Sequence, residues 1–232
     1  VVVDALELKR KEKPEKSIFD VYPQLEKGQW LRVDIHRREN LTPRRFRAII
    51  GSIEYLVEKG YNVNFIEMSA TKQALDYYKM RGILNRLTKH KNFLHTNVWP
   101  EYSHVVEFFE SENCLAALTD SGGIQEELNL IGKACLTCRL STDRPETVFD
   151  AKSNILVPPV SSDFITKLII HIIKNDSSLN NMENTKKLYG ANVGNKVISI
   201  LSKLMRKGER PFKWSHEVLG LWKEKSRGIE YL

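Results

Sequence analysis

The chain has 232 residues, of which 41% are hydrophobic and 28% are charged, a balance typical of globular rather than disordered proteins. Lysine and arginine (36) outnumber aspartate and glutamate (29), and the net charge of +7 suits anionic ligands without distinguishing nucleic acid from phosphate compounds. The longest apolar stretch, 165–173, is interrupted by Lys167 and His171, so we expect no membrane helix. Three cysteines do not make a disulfide framework, and we expect a cytoplasmic protein.

From Trp30 onwards, short β-rich segments alternate with segments of helical periodicity. Six strands are predicted, at 31–35, 62–68, 92–98, 114–119, 134–138 and 154–159. Helices are predicted at 42–59, 71–80, 101–112, 123–131, 162–174, 179–188, 193–206 and 214–225. This alternation predicts an α/β fold with a parallel sheet covered by helices on both faces, and ligands at the carboxyl ends of the strands.

The strongest local pattern is a glycine-rich turn between a strand and a helix. A buried strand ends just before Ser121-Gly122-Gly123, where glycines allow close approach of a ligand and the first helical N–H groups point outward. This arrangement suits a diphosphate, and Glu127 on the following helix could accept two hydroxyls of an attached ribose. The same pattern also allows an ordinary strand–helix turn with Glu126 and Glu127 in solvent.

A second cluster, His36-Arg37-Arg38-Glu39-Asn40, directly follows the first strand. At the carboxyl edge of the sheet its histidine and guanidinium groups would face a phosphate. Alternatively, the arginines pair with Glu39 and neighbouring acids, and His36 only caps a loop. A nucleic acid is not favoured as partner, because a single phenylalanine does not supply the aromatic residues that stack on bases.

The loop Thr142-Asp143-Arg144-Pro145-Glu146 follows the fifth strand. Arg144 could contact a ligand at the same edge of the sheet, or it could fix the loop through Glu146. The sequence alone favours the structural role.

Cys135 and Cys138 form a Cys-x-x-Cys pattern of the kind found in zinc and redox sites. Neither a second pair nor a histidine pair follows at ligand spacing, and Cys114 stands apart. Residues three apart in a strand point to opposite faces, which would separate the two thiols. We therefore predict buried apolar side chains here, no metal site and no cofactor.

Taken together, the motifs resemble those of the non-hydrolysing UDP-N-acetylglucosamine 2-epimerase family. They are HRREN at 36–40, TDSGGIQEE at 119–127, GK at 132–133, and an arginine followed by TDRPE within 139–146. A weaker match is YGANVG at 189–194, and the opening VVVDAL resembles the family's segment between its two halves. The resemblance covers about residues 1–205 and only the carboxyl-terminal half of the family.

The resemblance implies a Rossmann-like domain, the carboxyl-terminal half of a glycosyltransferase-B-type fold. The implied boundaries are an inter-domain connecting segment at 1–29, a UDP-binding domain at 30–205 and a helical extension at 206–232. The implied partners are UDP, a UDP-N-acetylhexosamine and the amino-terminal half of the same protein; a homodimer stays open. The residues placed around UDP are Ser121, Gly122 and Gly123 at the diphosphate, Glu127 at the ribose, Val98 and Trp99 at the uracil, Arg37, Arg139 and Arg144 in the cleft, and His36 as the catalytic group that stabilises the leaving phosphate.

The reaction implied by the resemblance eliminates UDP from UDP-GlcNAc, leaving an unsaturated 2-acetamido sugar, and adds UDP back after reprotonation at C2. The product, UDP-ManNAc, is a precursor of cell-envelope polysaccharides. The carboxylates that move the C2 proton belong to the amino-terminal half, so this chain alone is expected to bind UDP without epimerising a sugar. Two alternatives stay open, an epimerase for a modified sugar such as a 2,3-diacetamido derivative and a stand-alone nucleotide-sugar binding module.

Two positions depart from the family's pattern. Glu67 stands where a histidine is usual, and in bacterial members that histidine helps to form a regulatory second sugar-nucleotide site. Asp143 replaces the commoner glutamate before Arg-Pro-Glu. Because of the first departure, the sequence does not predict a regulatory second site in this chain.

Overall fold

The computed structural model describes residues 2–12 and 14–207. Residues 2–191 form one compact unit, and a second unit begins at Asn192. In the compact unit the helices are α1 (Val2–Lys11), α2 (Ile18–Val21), α3 (Pro43–Glu58), α4 (Ser69–Tyr77), α5 (Arg81–Leu87), α6 (Tyr102–Glu110), α7 (Gly122–Ile131), α8 (Pro145–Phe149), α9 (Ser162–Ile173) and α10 (Asp176–Glu183). Short 3₁₀ turns lie at Pro23–Glu26 and Arg38–Asn40, and the second unit contains the amphipathic helix α11 (Val193–Arg206).

Six parallel strands form one sheet in the order β3-β2-β1-β4-β5-β6. They are β1 (Trp30–Asp34), β2 (Asn62–Glu67), β3 (Phe93–Asn97), β4 (Cys114–Thr119), β5 (Cys135–Thr137) and β6 (Asn154–Leu156). The strand order runs outward in both directions from the central β1–β4 pair. Crossovers that leave this pair in opposite directions place their helices on opposite faces, so a crevice opens between them at the carboxyl ends.

Each face of the sheet carries its own apolar core. Against one face pack α3 and α9, with Phe46, Ile49 and Ile169 fully buried. Against the other pack α6 and α7, with Trp30 and Phe108 buried, and α1 lies on these two helices. Burying each such side chain contributes about 1.5–3 kcal/mol to the stability of the fold. Strands that are covered on both faces therefore have apolar residues at consecutive positions.

The predicted fold class is confirmed, and all six predicted strands form, with ends that differ by a few residues. The largest difference is at β6, which ends at Leu156 although the prediction ran to 159. Pro158 and Pro159 have no N–H group to donate to a neighbouring strand, so the ladder stops before them.

The helix predicted at 71–80 is wrong in its extent. The structure has α4 ending at Tyr77, a left-handed residue at Lys79 (φ 56°) and then α5, which was not predicted. Neither glycine nor proline marks this break, so the sequence carries no ordinary turn signal there. Arg81, at the start of α5, pairs with Asp76 and Glu67 and so fixes the reversal.

Other helix ends follow identifiable caps. Pro43 begins α3 directly after Thr42. The Oγ atom of Ser161 accepts the Phe164 N–H at the start of α9. The helix predicted at 179–188 lies earlier, as α10. The five-residue helix α8 was not predicted, and the helix predicted at 214–225 lies outside the described residues.

The first helix belongs to the same compact unit as the sheet, since α1 packs on α6 and α7. Farther along the opening segment, Glu107 of α6 accepts the Ser17 hydroxyl at 2.7 Å and the Ile18 N–H at 2.8 Å. The domain boundaries at 29/30 and 205/206 stay predictions.

The two thiols of the Cys-x-x-Cys pattern are separated by the sheet. Cys135 packs in the core under α6 and α7, whereas Cys138 packs in the core under α3 and α9. Burial raises the pKa of Cys114 and Cys135 to about 12, so these thiols stay protonated at neutral pH. Among residues 2–12 and 14–207, no helix combines the length and apolar character needed to cross a membrane.

Candidate nucleotide-binding site

The two predicted motifs meet at the carboxyl ends of neighbouring strands. In the ladder between β1 and β4, Asp34 lies opposite Thr119, so the segments that follow these residues leave the sheet side by side. The first contains His36 and the second contains Ser121. This is the point at which the strand order reverses, where open α/β sheets bind their ligands.

Asp120 joins the two segments. Its side chain is fully buried and accepts the backbone N–H groups of His36 (3.1 Å) and Arg37 (2.9 Å). Asn40 donates its amide to the same carboxylate at 2.9 Å and to the carbonyl of Cys138 at 2.8 Å. The His36 ring is about one-third exposed, and its Nδ1 lies 3.2 Å from Asp120 outside hydrogen-bond geometry. The carboxylate therefore fixes the loop that presents His36 and Arg37.

The glycine turn leaves backbone donors at the start of α7. The Ser121 N–H donates to the hydroxyl of Thr119 at 3.0 Å, and the Ser121 hydroxyl accepts the Ile124 N–H at 3.5 Å as the helix cap. Within the described part of the chain, the backbone N–H groups of Gly122 and Gly123 have no acceptor. With ten residues, α7 adds the positive end of its dipole at this point, which makes the turn a site for an anion.

A network of ion pairs lies directly over this turn. Asp143 accepts hydrogen bonds from Nη1 of Arg139 at 2.7 Å and from Nη2 of Arg37 at 3.2 Å. Arg139 also donates to Glu39 at 3.0 Å. Burial alone would raise the pKa of Asp143, but hydrogen bonds and the two arginines outweigh it and hold that pKa below its usual value. Of the arginines in the 36–40 cluster, Arg37 thus pairs with an acid outside the cluster, and Glu39 pairs with Arg139 rather than with an arginine of its own cluster.

Arg144 fixes the loop through a different partner from the one expected. It pairs with Glu126 of α7, not with Glu146. Glu146 instead accepts the hydroxyl of Tyr189 at 2.7 Å. The suggestion that Glu126 is a solvated residue is therefore wrong, since it is 8% exposed and has a charged partner.

Glu127 is a partly buried carboxyl group one helical turn from the glycines. Burial raises its pKa to about 7, and a hydrogen bond with Tyr102 of α6 offsets only part of that rise. Tyr102 starts the helix that follows the β3 loop. The site therefore holds a carboxyl group whose charge changes near neutral pH.

Val98 and Trp99, in the loop after β3, differ sharply in exposure. Val98 is 55% exposed, whereas Trp99 is 3% exposed and donates its indole N–H to Thr96 at 3.2 Å. The guanidinium of Arg32 lies 4.2 Å from the Trp99 ring centroid. Val98 is thus the side chain of the pair that a ligand could contact, and Trp99 forms the floor beneath it.

Arg32 and Asp34 form a buried ion pair, with Nε of Arg32 3.4 Å from the carboxylate. Burial lowers the pKa of Arg32 and raises that of Asp34. Asp34 also accepts the hydroxyl of Thr119. Because Thr119 in turn accepts the Ser121 N–H, the pair supports the glycine turn from below.

Glu67, the departure from the family's pattern, is a paired side chain. Its carboxylate accepts Nη1 of Arg81 at 2.8 Å and lies 2.8 Å from Nε2 of His95. Burial would raise the pKa of Glu67, but these two partners outweigh it and lower that pKa. A carboxylate held this way does not offer the donor that a histidine would supply.

Nothing in the described ranges groups three or more histidine, cysteine, aspartate or glutamate side chains as a metal site would. A cavity of about 870 Å³ lies between α3 and α9, lined by Gly51, Tyr55, Ser162, Asp163, Thr166, Lys167, Ile170, His171, Lys174 and Asn175. It shares no residue with the motifs, so it is separate from the candidate site.

Sequence reasoning missed the residues that hold the site together. The strand pattern predicts only that Asp120 lies at the end of a strand and that Arg32 and Asp34 are ordinary strand residues. Charged residues inside an apolar strand are a signal that could have found the buried pair. Tyr102 carries no comparable signal, because its contact with Glu127 depends on how α6 and α7 pack.

Comparison with known proteins shows the family of the chain. The family model described as UDP-N-acetylglucosamine 2-epimerase matches residues 1–202. The UDP-N-acetylglucosamine 2-epimerase of Methanocaldococcus jannaschii is 29% identical over 171 residues, 72% of this chain and 43% of the relative. The protein of the same name from Methanococcus maripaludis is 29% identical over 169 residues, 67% of this chain and 42% of the relative. The chain thus spans less than half the length of these relatives.

Solved structures share the fold. The UDP-GlcNAc 2-epimerase of Neisseria meningitidis bound to UDP-GlcNAc has a TM-score of 0.71 at 24% identity, covering 88% of this chain and 53% of that one. The UDP-forming trehalose-phosphate synthase of Burkholderia xenovorans has a TM-score of 0.61 at 13% identity, covering 88% and 50%. These likenesses confirm the predicted glycosyltransferase-B-type fold class. Since the family model matches most of the chain, the chain belongs to the UDP-N-acetylglucosamine 2-epimerase family.

Proposed function

We propose that this chain is the UDP-binding part of a UDP-N-acetylglucosamine 2-epimerase, with the diphosphate held at the start of α7. The observation that carries the proposal is the meeting of two kinds of phosphate-binding group at one edge of the sheet. The N–H groups of Gly122 and Gly123, which have no acceptor among the described residues, lie at a helix N-terminus, and Asp120 holds the loop of His36 and Arg37 beside them.

The rest of the nucleotide follows from the neighbouring groups. Glu127 accepts the ribose hydroxyls in its ionised form, one helical turn beyond the glycines. The exposed Val98 borders the uracil, and Trp99 supports it from the core. Arg139 and Arg144 line the cleft from the loop after β5, each already held by a carboxylate.

In the whole protein, these groups stabilise the leaving UDP. When the C1–O bond of the sugar breaks, its electron pair passes to the β-phosphate oxygen. The glycine N–H donors, His36 and Arg37 stabilise the negative charge that develops there. A base outside this chain removes the C2 proton, giving the unsaturated 2-acetamido sugar. Re-addition of UDP and reprotonation at C2 complete the conversion of UDP-GlcNAc to UDP-ManNAc.

Calorimetric titration of the purified chain with UDP tests the binding part of the proposal. The side chains of His36, Arg37 and Asp143 are 33–44% exposed, so their charge contacts are screened. We therefore expect a dissociation constant of about tens of micromolar to millimolar. Uridine, which lacks the phosphates, should bind far more weakly. Equal binding of the two would contradict the placement of the diphosphate.

A proton–deuterium exchange assay at C2 tests the division of labour. With the purified chain and UDP-GlcNAc in deuterated water, no deuterium should enter C2, because general-base catalysis needs a base positioned at the sugar. Deuterium at C2 would show that a catalytic base lies within these 232 residues. The same assay with a 2,3-diacetamido derivative covers the alternative substrate.

A further inference from the structure

The carboxylate of Asp143 lies against Gly122, the first residue of the turn at which the diphosphate is proposed to bind. A Cβ atom built on Gly122 would lie 3.3 and 3.4 Å from the two carboxylate oxygens of Asp143 and 3.5 Å from Nη2 of Arg37. An anion that belongs to the chain itself thus lies beside the first residue of α7, without accepting its N–H group.

The same carboxylate engages both arginines that lie nearest the turn. Arg139 donates to it at 2.7 Å and Arg37 at 3.2 Å, while Nη1 of Arg144 lies 3.9 Å away. Arg139 is nearly buried, with 10% of its side chain exposed, so its charge requires a partner. An incoming phosphate and Asp143 therefore compete for the same cations.

The backbone around Asp143 is held, but its side chain is able to leave. Thr142 donates its hydroxyl to Gln125, and Arg144 pairs with Glu126, so the residues on both sides are anchored to α7. The Asp143 side chain itself is 44% exposed. Rotation about its side-chain bonds moves the carboxylate into solvent without moving the loop.

We propose that Asp143 is a placeholder for the diphosphate: it neutralises Arg37 and Arg139 in the empty site and is displaced when an anionic ligand binds. The inference rests on the proposed function and adds to it a determinant of ligand charge. A ligand of high negative charge forms new ion pairs with the two arginines in place of those with Asp143, whereas a neutral nucleoside forms none.

The test compares the affinities of UDP, UMP and uridine for four forms of the full chain by calorimetry. These are the unaltered chain, Asp143→Asn, the charge-conserving Asp143→Glu, and Asp150→Asn. Asp150 is exposed at the end of α8, so its variant makes the same change in net charge outside the ion-pair network.

Asp143→Asn should bind UDP about threefold to tenfold more tightly than the unaltered chain, because one competing charge is removed and a carboxylate that is 44% exposed holds its arginines only weakly. The gain should shrink from UDP to UMP and vanish for uridine. Asp143→Glu should stay close to the unaltered chain, and so should Asp150→Asn.

Unchanged or weaker UDP binding by Asp143→Asn would overturn the proposal, since it would mean that the carboxylate orients the arginines for the ligand. An equal gain in Asp150→Asn would overturn it too, because net charge would then explain the result. If neither the unaltered chain nor Asp143→Asn binds UDP, the proposed function itself fails. UDP binding to the unaltered chain without a gain in Asp143→Asn rejects the placeholder alone.

Discussion

Replacing Asp120 with alanine should destabilise the fold more than any other single change at the candidate site. The carboxylate is fully buried and accepts two backbone N–H groups, those of His36 and Arg37, and the side-chain amide of Asn40. Alanine removes the acceptor of both backbone N–H groups and one of the two acceptors of the Asn40 amide, which keeps its bond to the Cys138 carbonyl. The loss falls where the first motif leaves the sheet.

The expected cost follows from the number of donors. Each buried donor left without an acceptor costs about 1–3 kcal/mol, and partial relaxation and entry of water reduce the sum, so the variant should lose about 3–5 kcal/mol. Asp120→Asn keeps one acceptor oxygen and should lose about 1–3 kcal/mol.

Urea unfolding at pH 7.5 measures these free energies for the full chain. The matched control is Asp150→Ala, which removes an exposed carboxylate and should change stability by less than about 0.5 kcal/mol. Since domains have only about 5–15 kcal/mol of stability, Asp120→Ala could fail to fold, and Asp120→Asn then keeps the test open. If both Asp120 variants unfold at the urea concentration of the Asp150 control, Asp120 does not hold the loop.

Three further predictions concern Glu127, Gly122 and the cysteines. Burial raises the Glu127 pKa from 4.5 to about 7, so the group's contribution to stability is greatest below pH 4.5 and is lost as the pH rises through 7. Glu127→Gln removes that loss, so its urea midpoint should lie above that of the unaltered chain at pH 8 but not at pH 5. The same variant should lose more affinity for UDP than for pyrophosphate. Equal losses of affinity for both ligands would contradict the placement of Glu127 at the ribose. Gly122→Val should abolish UDP binding while the chain stays folded, because the added Cβ lies near only the flexible ends of the Asp143 and Arg37 side chains. The control is Gly82→Val, whose added Cβ has no atom within 4 Å. Unaltered UDP affinity in the Gly122 variant would reject the turn as the phosphate site. Elemental analysis should find no stoichiometric zinc, because Cys135 and Cys138 lie on opposite faces of the sheet; one zinc per chain would show that β5 is misplaced.

The sheet could be predicted from sequence because its signal is local. Short β-rich segments between helical periods are typical of parallel strands buried on both faces, and all six segments of five to seven residues that were predicted as strands form strands. The break at Lys79 could not be predicted, since it depends on an ion pair between Arg81 and residues that lie far from it in sequence, such as Glu67. Tertiary contacts decide such positions.

The site divides in the same way. Ser121 and the glycines after it could be recognised because a strand, a glycine turn and a helix occur in direct succession. The partners of the charged residues could not be recognised from the sequence. Whether Arg144 pairs with Glu126 or with Glu146 depends on how α7 packs against the loop. Val98 and Trp99 are adjacent in sequence, yet Val98 is exposed and Trp99 is buried, because the packing of the folded chain decides their exposure.

Backbone amide signals of the glycines give the most direct test of where UDP binds. In a ¹⁵N-labelled chain titrated with UDP, the amide signals of Gly122 and Gly123 should move, since their N–H groups receive the diphosphate. The signals of Gly82 in α5 and of Gly51 in the cavity between α3 and α9 should stay in place. Movement of Gly51 with no change at Gly122 and Gly123 would contradict the account.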